Sequence, residues 1–239
     1  MDQSNKTELE GVLTAAPSAV VPTSITFSSI STGGNHACGI QSGSARLICW
    51  AGGLYGNEPV DITIPLTVTQ ERIKTVACGL LSVLAITENG TTYCWPAAYC
   101  QATSKPGAVQ ASLSTLGTCI VYQSYQTECL YALGFYSVTL AGLYNSVSVG
   151  EQSFCALASD GAISCSSGEL GQTPVPRDVY THVSVGLVHA CASTSTGYLR
   201  CWGRAPVIPR DGKWTGGWSS IVTGLSSSHI CAVADVNHT

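Results

Sequence analysis

The side chains best placed to do chemistry in this 239-residue chain are its 12 cysteines. Cys38 and Cys49 are 11 residues apart, while Cys119/Cys129, Cys155/Cys165 and Cys191/Cys201 are each 10 apart. Zinc sites use short Cys-x2-4-Cys knuckles, and the sequence has none. Turn formers lie between the paired cysteines instead, as in Cys155-ALASDGAIS-Cys165. A strand, a tight turn and a second strand would set the two sulfurs opposite each other, within the roughly 4.4–6.8 Å Cα separation that a disulfide needs. The expected chemistry is therefore oxidation to four hairpin disulfides, each worth on the order of 2–3 kcal/mol through loop closure. Buried free thiols are the alternative. Cys78, Cys94, Cys100 and Cys231 remain, and of their three connectivities Cys94–Cys100 is the pairing expected.

Histidine is the second candidate chemistry. His36, His189 and His229 each precede a cysteine by two residues, so three imidazoles could gather round a metal. Ser82 and Ser153 take the same place in sister segments, which points to a structural hydrogen-bonding role instead, and no metal is expected. Asn89-Gly90, Asp160-Gly161 and Asp211-Gly212 offer acidic or amide side chains, but such dipeptides are turn formers first. Trp50, Trp95 and Trp202 recur at one place and read as packing. Trp214 and Trp218 fall outside that pattern and are candidate surface contacts. No nucleophile–base constellation and no phosphate loop appears. A non-catalytic protein without a cofactor is expected.

The elements that would hold these residues repeat. The segments from Ser29, Lys74, Ser146 and His182 share one plan: a small-residue strand, Gly, a cysteine or leucine five residues on, a polar turn, then Gly-x-x-x-Cys, often with Trp next. A degenerate copy starts at Val109 and a half copy at Ile221. The first-cysteine positions are Cys38, Leu84, Cys119, Cys155, Cys191 and Cys231, separated by 46, 35, 36, 36 and 40 residues. Periods of this size belong to propellers and solenoids. Short β-branched alternation broken by Gly, Ser and Pro favours antiparallel propeller blades over helical repeats.

The ends of the sequence complete the pattern. Cys231-AVADVNHT stops where its sisters turn, with Val236-Asn237 aligned on Asp160-Gly161. Near the start, Glu10-Gly11-Val12-Leu13 resembles the second hairpin strand Asp160-Gly161-Ala162-Ile163, with Ala15 at the second-cysteine place. The expectation is an all-β propeller of about six units, seven left open, with one blade split between the termini. Residues 1–28 would form an arm that contributes the strand Gly11, Val12, Leu13, Thr14 and Ala15. Residues 29–239 would form the disulfide-rich repeats.

Gly33/His36/Cys38, Gly186/His189/Cys191 and Gly197/Cys201/Trp202/Gly203 together resemble the regulator-of-chromosome-condensation-like repeat. The paired cysteines look most like the extracellular variant in crinkly-type plant receptor kinases. The resemblance covers roughly residues 10–239 and implies a β-propeller. The family includes nucleotide-exchange factors, chromatin binders, β-lactamase inhibitors and receptor ectodomains, so the fold alone does not choose among them.

Composition narrows that choice. Charged residues are 10% of the chain, against roughly 25% in ordinary soluble domains, and the net charge is −4. Without a Lys/Arg cluster, phosphate neutralisation has nothing to work with, so no nucleic-acid partner is expected. No apolar run approaches the roughly 18 residues of a membrane span, so no membrane insertion is expected. The polar opening lacks a signal-peptide core, which reads as a processed chain or an absent leader. Sequons at Asn5, Asn89 and Asn237 join the disulfides in pointing to a secreted or cell-surface eukaryotic glycoprotein carrying N-linked glycans. The expected role is structural self-assembly, with the chain as its own partner in a head-to-tail filament formed by exchange of the N-terminal strand. The alternative is a monomeric ligand-binding ectodomain or secreted inhibitor that uses a propeller face and the long connection Leu54–Lys74.

Overall fold

In a computed structural model of the chain, residues 25–34, 36–51, 64–96, 100, 105–115, 117–131, 136–151, 153–166, 175–204, 213–215, 218–223 and 230–234 are described. The chain divides into two compact units, 1–109 and 110–239. Each is taken by itself.

Hairpins built on a left-handed turn residue organise both units. In Ala158-Ser159-Asp160-Gly161, the Gly161 amide donates to the Ala158 carbonyl at 3.0 Å, and Asp160 Oδ1 accepts from the Ala162 amide at 3.0 Å. Gly161 has φ 83°, which glycine adopts without strain. Its carbonyl then accepts the Tyr180 amide at 3.0 Å, tying this hairpin to the next sheet. The same link recurs from Ala45 to Ile73, Gly90 to Ala108, Tyr125 to Tyr144 and Gly197 to Trp218. In every case the carbonyl belongs to a positive-φ residue, including the non-glycines Ala45 and Tyr125. The turn therefore shapes one sheet and registers its successor.

Unit 1 holds two antiparallel three-stranded sheets. Sheet 1 is β1 (Phe27–Thr32), β2 (His36–Gln41) and β3 (Leu47–Ala51), and sheet 2 is β4 (Ile73–Cys78), β5 (Val83–Thr87) and β6 (Thr92–Trp95). A single helical turn, α1 (Leu66–Thr69), leads into β4. The first strand opens at Phe27, so the last two residues of the expected 1–28 arm already belong to sheet 1.

Unit 2 contains the remaining sheets, its boundary falling within β7. Sheet 3 is β7 (Ala108–Leu113), β8 (Gly117–Tyr122), β9 (Thr127–Tyr131) and β10 (Tyr136–Leu140). Sheet 4 is β11 (Tyr144–Val149), β12 (Phe154–Ala158) and β13 (Ile163–Cys165). Sheet 5 is β14 (Tyr180–Val185), β15 (His189–Thr194), β16 (Tyr198–Gly203) and β17 (Lys213–Thr215). Sheet 6 has only β18 (Trp218–Thr223) and β19 (Ile230–Ala234) among the described residues.

Within each unit, consecutive sheets pack face to face through a repeated pair of surfaces. The outgoing face of sheet 1 presents Cys38, Cys49, Ile40 and Leu47, and it buries Val76, Val83, Ala85 and Trp95 on the incoming face of sheet 2. Sheet 4 offers Cys155 and Leu157 to Val185, Ala192 and Trp202 of sheet 5. Sheet 5 in turn offers Cys191, Leu199 and Cys201 to Ile221 of sheet 6. Between these apolar floors runs a line of serine hydroxyls. Ser31 accepts the Cys78 amide at 3.0 Å, Ser112 that of Val149 at 3.0 Å, Ser148 that of Val185 at 3.0 Å and Ser184 that of Thr223 at 2.9 Å. These bonds satisfy strand amides that face a neighbouring sheet instead of a ladder partner. At the same level a Cβ on Gly33 would collide with the Gly79 carbonyl, and one on Gly150 with that of Gly186. Glycine at these places is what lets the sheets approach.

Candidate functional site

The cysteines sit where strand register puts them. Cys38, Cys119, Cys155 and Cys191 lie directly opposite Cys49, Cys129, Cys165 and Cys201 on adjacent antiparallel strands. All four pairs are disulfide-bonded with Cα atoms 4.0 Å apart. That separation lies just below the usual disulfide range, in keeping with the narrow non-hydrogen-bonded pairs of an antiparallel ladder. In sheet 2 the first-cysteine place is Leu84, opposite Cys94. Cys94 pairs instead with Cys100, six residues on. Cys78 and Cys231 are the free thiols. Cys78 is buried, and desolvation pushes its pKa up to about 12, which makes it inert.

Cys231 is the exception within the repeat. It occupies the first-cysteine place on β19, opposite Val222 of β18, and it is exposed. The other five sheets have a third strand beside the equivalent of β19, and in each that strand carries a cysteine at the second place, bonded across the hairpin in four of them. The segment expected to supply the missing strand, Gly11 to Ala15, lies outside the described residues, as do Asn5, Asn237, His229 and Asp211.

The remaining candidates fall into place individually. His36 is buried, and its Nε2–H donates to the Ser82 carbonyl of sheet 2 at 3.3 Å. His189 is 0% exposed, with neither ring nitrogen paired among the described residues. Among those residues no group of three His, Cys, Asp or Glu side chains could hold a metal ion. Asn89 is exposed in the β5–β6 turn, where a glycan would point into solvent. Trp214 is in β17, opposite Leu199.

Trp218 is half-buried and packs against the cluster of Cys191, Leu199 and Cys201. Its position opens the inner strand of sheet 6, as Phe27 opens that of sheet 1 and Tyr180 that of sheet 5. Phe27 lies near Trp50 at 5.5 Å and Tyr180 near Trp202 at 6.3 Å between ring centroids. In these three sheets the aromatic residue at that place is part of the sheet packing.

Burial disfavours the charged form of His36 and of His189 and lowers the pKa of each; for His36 the bond to the Ser82 carbonyl partly opposes this. In the unfolded chain each binds a proton near pH 6.5, while the folded chain resists it. Unfolding then takes up protons, so stability falls as the pH drops from about 7 towards 5, by at most about 1.4 kcal/mol per pH unit per histidine. Urea midpoints at pH 7, 6 and 5 are expected to fall in that order. The His36→Asn/His189→Asn variant should flatten the trend, and an unchanged slope would assign it to other groups.

Small antiparallel sheets that repeat along the chain and pack face to face within each unit are the blades of a β-propeller. No protein-family model and no curated protein sequence matches the chain. Solved structures do resemble it. The entire ectodomain of a Physcomitrella patens receptor kinase superposes with a TM-score of 0.74 at 17% identity, over 92% of this chain and 61% of that one. The CRINKLY ectodomain of an Arabidopsis thaliana receptor kinase gives 0.66 at 18%, over 88% and 79%. Yeast RCC1 (Prp20) gives 0.65 at 15%, over 86% and 67%. The fold is thus that of the RCC1-like β-propellers, including the CRINKLY ectodomain. This chain spans about three fifths of the Physcomitrella ectodomain. Its five disulfides fit an oxidising compartment. No helix among the described residues is long and apolar enough to cross a membrane.

Proposed function

We propose that this protein is a non-catalytic extracellular glycoprotein whose role is structural, and that copies join head to tail by strand exchange. The observation carrying this is sheet 6, which has two strands among the described residues and leaves Cys231 exposed where the other hairpins are closed. An unpaired sheet edge is a template for an added strand. Gly11–Ala15 is the matching segment, and Pro17 and Pro22 stiffen its connection to β1. Donated to a neighbouring copy, that strand makes a heterologous contact, which propagates as a filament unless it closes. Closure within one chain competes, with an effective concentration of order millimolar. Exchange therefore needs added interface between copies.

The test is light scattering with negative-stain imaging of the secreted chain, with and without residues 1–15. Filaments that disappear on truncation are the expected result. A monomer in both forms would favour the second reading, a ligand-binding ectodomain or secreted inhibitor. What supports that reading is the likeness to two receptor-kinase ectodomains. Its contact surface would be the Leu54–Lys74 connection, of which residues 64–74 are described.

A further inference from the structure

Within each unit, the incoming face of a sheet is covered by the outgoing face of the sheet before it. The residue at the centre of that incoming face is Val76 in sheet 2, Val147 in sheet 4 and Ile221 in sheet 6, and these are 6%, 2% and 6% exposed. In sheet 1 the same place is Ile30, opposite Gly39 of β2, and it is 53% exposed. Thr32 beside it is also exposed, while its counterparts Cys78, Val149 and Val185 are buried. Sheet 6 shows the converse. Val222 stands where Ser31, Ser148 and Ser184 turn towards a following sheet, and it is 59% exposed, with exposed Cys231 directly across from it. Unit 1 thus exposes Ile30 and Thr32 on the inner strand of an incoming face whose outer strand holds Trp50 at 8% exposure, and unit 2 exposes Val222 and Cys231 on an outgoing face. Both faces are centred on an apolar β-branched residue in a chain whose interior repeatedly joins such faces.

We infer that the Ile30 face of sheet 1 is a docking surface for the Val222–Cys231 face of sheet 6 of a second copy. This rests on the assembly proposed above and names the interface that strand exchange alone lacks. Continuity with the packing inside each unit supports it. An outgoing face meets an incoming one through apolar contacts, as where Cys191 and Leu199 cover Ile221. The N-terminal strand of one copy, seated beside β19 of another, would bring its own β1 against that outgoing face by the connection that joins successive sheets. A valine in the serine place removes the hydroxyl that would accept the Thr32 amide. The new contact is therefore apolar, without the serine bond, and it is weaker than an internal joint. That suits an interface between copies.

Ile30→Glu and Val222→Glu test this by sedimentation velocity over a range of concentrations. Both residues are exposed, so circular dichroism and melting temperature should match the parent. Each variant alone is expected to weaken association at least tenfold. Mixed in equal amounts they should give dimers and nothing longer, because one good incoming face meets one good outgoing face and both ends of the pair are blocked. Unchanged association in either variant overturns the inference. If deletion of residues 1–15 abolishes assembly while Ile30→Glu leaves it intact, strand exchange stands and this face does not. If Ile30→Glu abolishes assembly and the deletion does not, the face stands and strand exchange falls. A parent chain that stays monomeric throughout overturns both, leaving the face to be covered by its own chain or by a different partner.

Discussion

Ala15→Cys protein, oxidised after purification, is expected to run on a non-reducing gel as a ladder of cross-linked multimers that collapses to one band on reduction. Register sets this outcome. Four hairpins join a first cysteine to one directly opposite on the next strand, with Cα atoms 4.0 Å apart. Cys231 holds the first-cysteine place on β19, and Ala15 aligns with the second. A strand containing residue 15 that pairs with β19 would therefore put the new thiol opposite Cys231. The background is low, because ten cysteines are already bonded and Cys78 is buried with its pKa pushed up to about 12. Strand exchange yields the ladder. Closure within one chain yields a monomer that has lost its reactive Cys231 thiol. A protein that retains both thiols after oxidation would show that residues 11–15 do not pair with β19 in this register. Neighbouring substitutions at Thr14 and Ala16 act as controls, since a shift of one residue turns the side chain to the other sheet face.

The local part of the design is legible in the sequence. The disulfides can be read because a hairpin brings residues ten apart into contact, and both strand alternation and turn chemistry lie inside that window. The glycines at Gly161 and Gly197 announce the turns for the same reason. The joints between sheets are not legible. Ser148 serves an amide at Val185, 37 residues on, and in isolation it looks like one more small residue in a strand. The carbonyls of Ala45 and Tyr125 make the same link as those of Gly90 and Gly161, yet neither residue type advertises a positive φ. Trp218 escapes recognition because its place is filled by Phe27, Ile73, Ala108, Tyr144 and Tyr180 in the sister sheets. That diversity hides the position from pattern matching, although all of them open an inner strand. The exposed positions of Ile30 and Val222 are invisible to sequence by nature. Each is an ordinary β-branched strand residue, and only its exposure in the folded chain sets it apart.

The Cys191→Ala/Cys201→Ala variant is expected to lose about 3–5 kcal/mol of stability, and the loss should reach beyond the hairpin it opens. Loop closure over about ten residues accounts for roughly 3 kcal/mol in the entropic account. The rest comes from packing. Both sulfurs are buried, at 0% and 6% exposure, and with Leu199 they form the floor under Ile221 and Trp218 of sheet 6. Removing two sulfur atoms from that floor leaves a void beside two large side chains, which cannot fully collapse because Ser184 still holds the Thr223 amide at 2.9 Å. At roughly 2–4 °C per kcal/mol for a chain of this size, the melting temperature should fall by about 10 °C. Hydrogen exchange separates the two contributions. If the disulfide acts only as a staple, amides of β15 and β16 lose protection and those of β18 keep theirs. If it is also the floor of the joint, β18 and β19 lose protection together with β15. The Cys94→Ala/Cys100→Ala variant provides the contrast: its bond spans six residues and leaves the floors of Cys38–Cys49 and Cys191–Cys201 in place, so its loss should stay within sheet 2. Because the Cys191–Cys201 floor fixes sheet 6, which carries Val222 and Cys231, its removal should also weaken assembly without changing any residue that a second copy would touch.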